Sequence, residues 1–123
     1  MTIQIFGHSK CKGTRAAQRF FAERRIPVHM VDILAKGLSR GEFDSVVRAL
    51  GGVAALYDAQ SPHVRERGLQ YAQPNKDRMT TLLLEDPKLY RTPVVRNGTR
   101  ATAGIDETTW RAWADEIKKS AST

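Results

Sequence analysis

Ile3-Gln4-Ile5-Phe6-Gly7-His8-Ser9-Lys10-Cys11-Lys12-Gly13-Thr14-Arg15 joins two different periodicities. Ile3 to Phe6 is a short, alternating and partly β-branched run, which predicts a strand. From Thr14 onward, Ala17, Phe20 and Phe21 fall on one stripe with Arg15 and Arg19 opposite, which predicts an amphipathic helix. The one cysteine of the chain, Cys11, therefore belongs to a strand-to-helix turn, at or just before the first helical turn.

The first amides of a helix lack intrahelical partners and carry partial positive charge, so they favour an anion placed beside them. A cysteine there, flanked by Lys10, Lys12, Arg15 and His8, is expected to have a lowered pKa and to be reactive rather than a small buried hydrophobe. Thr14 can offer its hydroxyl to the thiolate, and Gly13 leaves room for another group to approach the backbone.

The 123 residues suit one domain with its own core. No apolar run is long enough to span a membrane, and the first residues lack a signal peptide's pattern, so a cytoplasmic location is expected. One cysteine excludes an intramolecular disulfide and a thiolate metal cage; no metal and no tightly bound cofactor are expected. The net charge of +7 is uneven: residues 1–41 hold eight Lys/Arg against Glu23 and Asp32, whereas residues 42–123 hold twelve against eleven acids. Such a field favours an anionic partner such as an oxyanion or glutathione. No basic run with interleaved aromatics points to specific nucleic-acid binding.

Further along, Ile26 to Val31 predicts a second strand, parallel to the first because one helix joins them. Ser39 and Glu42 match a capping box ahead of Phe43, Val46, Val47 and Leu50, and Gly51-Gly52 ends that helix. Val53 to Tyr57, Ser61-Pro62 to about Gly68, and the segment capped by Asn75 and stopped before Pro87 predict further helices. Residues 39–90 are thus expected to be a helical insertion. After them, Pro93 to Arg96 and Thr99 to Ala103 predict a hairpin around Asn97-Gly98, placing Arg96 opposite Thr99. Asp106 caps a last helix whose apolar stripe is Trp110, Trp113, Ala114 and Ile117. The order predicts an α/β fold of thioredoxin-like topology: a mixed sheet, with a parallel pair and an antiparallel hairpin, plus the insertion. In it Cys11 and Thr92-Pro93 are neighbours.

The chain resembles the arsenate reductase family, which includes the Spx-type regulators. The resemblance is carried by Cys11-Lys12-Gly13-Thr14-Arg15, similar to the family's Cys-x-x-Ser/Thr-Arg loop, and by Thr92 to Arg100, similar to its proline-hairpin segment. It implies Cys11 as nucleophile, with Thr14 and Arg15 at the loop positions after it, and Pro93 as a cis proline. Arg100 matches an arginine that faces the oxyanion, and His8 resembles a histidine ahead of the nucleophile at one residue shorter spacing. Two departures stand out. Thr92 precedes the proline where arsenate enzymes have arginine, with Arg91 one step earlier and so on the opposite face of an extended segment. Asp58 lies near where the insertion supplies another arginine, for which Arg65 and Arg67 are substitutes.

The expected function is a thiol oxidoreductase. Cys11 attacks a disulfide or an arsenate-like oxyanion, and an external thiol such as glutathione releases the adduct, since no second cysteine exists. His8, Lys12, Thr14 and Arg15 stabilise the thiolate; Arg91, Thr92, Pro93 and Arg100 hold the partner. The alternative is a non-catalytic Spx-like regulator that binds RNA polymerase. Thr14 occupies the second place of a Cys-x-x-Cys switch, so such a regulator would act without an internal disulfide.

Overall fold

Alternation along the first strand sorts its side chains between two cores. The computed structural model of the chain describes residues 3–71 and 74–121. In β1 (Ile3–Gly7), Ile3 and Ile5 enter one apolar cluster and Phe6 the other. β3 (Val94–Asn97) does the same, with Val95 on one side and Val94 on the other. Both faces of these strands are covered, which makes them the middle of the sheet. β2 (Val28–Asp32) pairs parallel to β1, β3 pairs antiparallel to β1, and β4 (Arg100–Ala103) antiparallel to β3, giving the order β2-β1-β3-β4.

One face is covered by α1 (Lys12–Glu23) and, at the end of the chain, α5 (Glu107–Ala121). Phe20, Phe21 and Trp110 stack edge-on there beside Ile26 and Trp113. Burying each such side chain contributes roughly 1.5–3 kcal/mol or more. This packing fixes the height and direction of α1, and with it the turn that precedes α1. Trp110 also donates its Nε1–H to the Thr102 hydroxyl at 2.9 Å, tying α5 to β4. Asp106 caps α5 as expected, accepting from the Thr109 amide.

The other face carries the helices of residues 39–90: α2 (Arg40–Leu50), α3 (Pro62–Glu66), α4 (Lys76–Glu85), and short 3-10 turns at Val53–Ala55, Leu69–Tyr71 and Pro87–Leu89. The capping box of Ser39 and Glu42 forms, and Gly51 closes α2 in the left-handed conformation (φ 85°). Ser61 and Asn75 cap α3 and α4. An isolated bridge, Tyr57 with Tyr90, was not expected; with Arg91 N–H donating to Leu56 O at 2.7 Å, it straps residues 56–58 along the segment that leads to Thr92.

Two boundaries differ from expectation. The second strand starts at Val28, not Ile26, because α1 ends through Arg25 at positive φ (56°) and Ile26 N–H still caps Phe21 O at 2.9 Å. In the hairpin, Asn97 pairs with Arg100 and Arg96 with Ala101, so the two-residue loop is Gly98-Thr99. Gly98 (φ 63°) takes the first loop position, where positive φ is needed, and Asn97 is buried as the last residue of β3.

Candidate active site

Cys11 is itself the N-cap of α1 (φ −88°, ψ 119°), and its N–H donates back to His8 O at 3.1 Å. A thiol is a poor capping acceptor and makes no capping hydrogen bond of the usual kind. Even so, the Gly13 and Thr14 amides face the sulfur and favour its ionised form. The sulfur is half-buried, and Sγ lies 3.1 Å from Thr92 Oγ1. Burial opposes ionisation and is the largest single influence. The Thr14 and Thr92 hydroxyls, then the Thr14 and Gly13 amides, together outweigh it, and the thiol pKa falls below its ordinary value.

Thr14 is fully buried, and its Oγ1 accepts from the His8 N–H at 3.4 Å, which leaves the hydroxyl proton free for the sulfur. What holds it in place is Gly7 at the end of β1: a Cβ there would fall on the Thr14 hydroxyl and lie 2.8 Å from its methyl. Across the cleft the Thr92-Pro93 peptide is cis, as the resemblance implied. Pro93 presses against Gly13, where a Cβ would stand 2.8 Å from the proline Cδ. The room expected at Gly13 is thus filled by the proline. Gly104 N–H donates to Pro93 O at 2.9 Å and brings the β4–α5 turn, with Ile105, to the same cleft.

Cys11, Thr14, Thr92 and Pro93 therefore come together, while the cations do not gather around the sulfur. Arg15 donates to Ser9 O at 2.7 Å and Lys12 is exposed, so hydroxyls and amides take the stabilising part expected of these cations. The His8 ring lines a separate cavity of about 170 Å³ with Ser9, Gln18, Met30 and Asp32, its Nδ1 enclosed without a hydrogen-bond partner among the described residues.

Arg100 is a correction. It pairs with Asn97, which pairs with Ile3, at the end of β1 away from Gly7 and the cysteine turn. There its guanidinium is bound to Glu116 at 2.7 Å, so it cannot face an oxyanion at Cys11. Ala103, opposite Val94, is the β4 residue at the cleft end. Arg67 is likewise engaged, with Asp86 at 3.3 Å, and Arg65 is exposed. The Arg91 side chain lies across Gly104, with Cδ 3.4 Å from where a Cβ would be. Gly7, Gly104 and Ile105 were missed in the sequence. Only the spacing of Ile105, just ahead of the Asp106 cap and off the apolar stripe of α5, hints at its position.

A mixed four-stranded sheet, helices on both sides and a thiol at the mouth of the first helix, opposite a cis proline, define a thioredoxin-like protein. Residues 6–113 match the ArsC family, and the chain belongs to it. Among relatives, the Global transcriptional regulator Spx 2 of Oceanobacillus iheyensis is 26% identical over 108 residues, covering 87% of this chain and 79% of that protein. The arsenate reductase from Vibrio cholerae superposes with a TM-score of 0.72 at 24% identity, covering 85% of this chain and 90% of that one. An arsenate reductase (ArsC) related protein from Brucella melitensis gives 0.68 at 16% identity, covering 92% and 94%. At these identities the superpositions speak for the fold.

Proposed function

We propose that the protein is a thiol oxidoreductase in which Cys11 is the nucleophile and a small external thiol, such as glutathione, is the reductant. The observation that supports this most is the half-buried Sγ at 3.1 Å from the Thr92 hydroxyl, at the N-terminus of α1. The Cys11 thiolate attacks one sulfur of a substrate disulfide. An S–S bond to Cys11 forms, the substrate S–S bond breaks, and the leaving thiolate takes a proton from water. One molecule of external thiolate then attacks the mixed disulfide and restores Cys11 as thiolate. The substrate half held on Cys11 leaves joined to that external thiol, so one turnover converts a substrate disulfide and one external thiol into a free thiol and a new disulfide; where the held half is glutathione, the new disulfide is oxidised glutathione.

Disulfide is preferred over arsenate as substrate because Arg15, Arg67 and Arg100 are each held by other partners. The test is reduction of a mixed disulfide of glutathione and 2-mercaptoethanol by glutathione, with mass spectrometry for a glutathione adduct on Cys11. Turnover and an adduct in the native protein, both lost in Cys11→Ser, are expected; arsenate-dependent oxidation of glutathione without disulfide turnover would reverse the preference. A second reading, a regulator that binds RNA polymerase, draws on the similarity to Spx 2. Copurification with RNA polymerase that persists in Cys11→Ser, without turnover, would favour it.

A further inference from the structure

Neither Ile105 nor Arg91 takes part in the exchange steps proposed above; Ile105 lines the cleft, and the Arg91 side chain, expected on the far face from Thr92, lies beside it on Gly104. Ile105 is 62% exposed, an unusual state for so large an apolar side chain. It is not loose in solvent: its Cγ1 lies 3.3 Å from where a Gly13 Cβ would be, and so lines the cleft two residues from Cys11 beside Pro93. Its neighbour Gly104, at φ 83°, has no side chain, and the methylenes of Arg91 lie flat on that bare backbone. The Arg91 guanidinium is exposed and has no hydrogen-bond or ion-pair partner among the described residues, unlike Arg15, Arg67 and Arg100. Among the described residues no carboxylate is paired with it, and the side chains of Asp106 and Asp58 bond to the Thr109 and Gln60 amides.

We infer that Ile105 and Arg91, adjoining across Gly104, form a selecting rim that directs Cys11 toward organic disulfides bearing a carboxylate. This rests on the thiol–disulfide reading above. Ile105 covers the aliphatic part next to the attacked sulfur and removes apolar surface from water. Arg91 supplies an unpaired charge for the carboxylate, in a chain whose net charge of +7 already draws anions. A bare tetrahedral oxyanion would use the arginine and leave the isoleucine uncovered, whereas a carboxylate-bearing disulfide uses both.

The experiment measures rate constants of Cys11 with oxidised glutathione (anionic), bis(2-hydroxyethyl) disulfide (neutral) and cystamine (cationic), at low salt. Each is divided by the iodoacetamide constant of the same variant, which removes any change in the thiol itself. Arg91→Gln is expected to lower the ratio of oxidised glutathione to cystamine about tenfold, from lost attraction and lost repulsion together. Ile105→Ser is expected to lower all three normalised constants about threefold, leaving their ratios in place. Both positions are exposed, so folding is not at risk, and Arg100→Gln serves as a charge-matched control. A ratio that Arg91→Gln moves no more than the control, or normalised constants indifferent to Ile105→Ser, would overturn the inference. Rapid alkylation with no reaction toward any disulfide would refute the underlying thiol–disulfide reading as well.

Discussion

Replacing Gly7 by alanine puts one methyl group where the strand can least accept it. The new Cβ would fall on the Thr14 hydroxyl and 2.8 Å from its methyl, and Thr14 is fully buried with no room to turn. Gly7 is equally fixed, since it is paired with Asp32 and its carbonyl accepts from Ile33 N–H at 3.0 Å. Overpacking of this kind costs about 3 kcal/mol, the upper part of the usual range. Thr14→Ala alone removes a buried methyl and hydroxyl and frees the His8 N–H, at about 1.5 kcal/mol. In the double variant the two closest contacts disappear and only the 3.0 Å approach to the Cβ of residue 14 is left, so the loss is expected at about 2 kcal/mol rather than the sum, a coupling of roughly 2.5 kcal/mol. Urea titration followed by tryptophan fluorescence reads this directly, because Trp110 and Trp113 are both buried. The Gly7→Ala protein should melt about 10 °C lower than the native one. Additive losses in the cycle would refute the idea that Gly7 exists to make space for the Thr14 hydroxyl. Thiol reactivity should separate from stability: the double variant regains about 1 kcal/mol over Gly7→Ala but still lacks one donor to Cys11.

Thr92→Val removes the other hydroxyl and should raise the Cys11 pKa; alkylation near neutral pH is expected to fall about fivefold, as for the partial loss of a charge-assisted hydrogen bond. Arg100→Gln breaks the pair with Glu116 and should leave Cys11 alkylation as it is, checked by the same kinetics. Trp110→Phe gives up the bond to Thr102 and part of the stack on Phe20, and should cost about 2 kcal/mol in urea titration. Because folding depresses the Cys11 pKa, the linked stability is complete above the unfolded-thiol value and is lost as pH falls through the folded one. The native protein should therefore gain stability over Cys11→Ser as pH rises through that window, measured by melting at a series of pH values.

How far the sequence could be read depended on whether local rules or pairing decided the outcome. Caps are local, so Ser39, Ser61, Asn75 and Asp106 were legible, as was the cysteine's place at the mouth of α1. Hairpin register is not local in the same way. Asn-Gly signals a loop, but whether glycine is its first or second residue moves every partner by one, and the pairing of Asn97 with Ile3 of β1 keeps it inside β3. Arg100 was misplaced for a related reason: the resemblance carried a family arginine onto it, and a match in sequence does not show which end of β4 the residue occupies. The cations around Cys11 were legible as a cluster in sequence, yet Arg15 turned to a backbone carbonyl, and the work fell to the Thr14 hydroxyl and the helix amides, which the turn position had pointed to, and to the Thr92 hydroxyl across the cleft. The role of Gly7 needed the packed structure, because a glycine at a strand end has many explanations.

The most direct test is the pH profile of Cys11 alkylation by iodoacetamide, in the folded protein and in the chain unfolded by urea. The folded midpoint should lie below the unfolded one, move upward in Thr14→Ala and in Thr92→Val, and stay in place in Lys12→Gln and Arg15→Gln. Coincident folded and unfolded midpoints, or a folded midpoint that responds to the two cations and ignores the two threonines, would contradict a thiolate held by hydroxyls and helix amides.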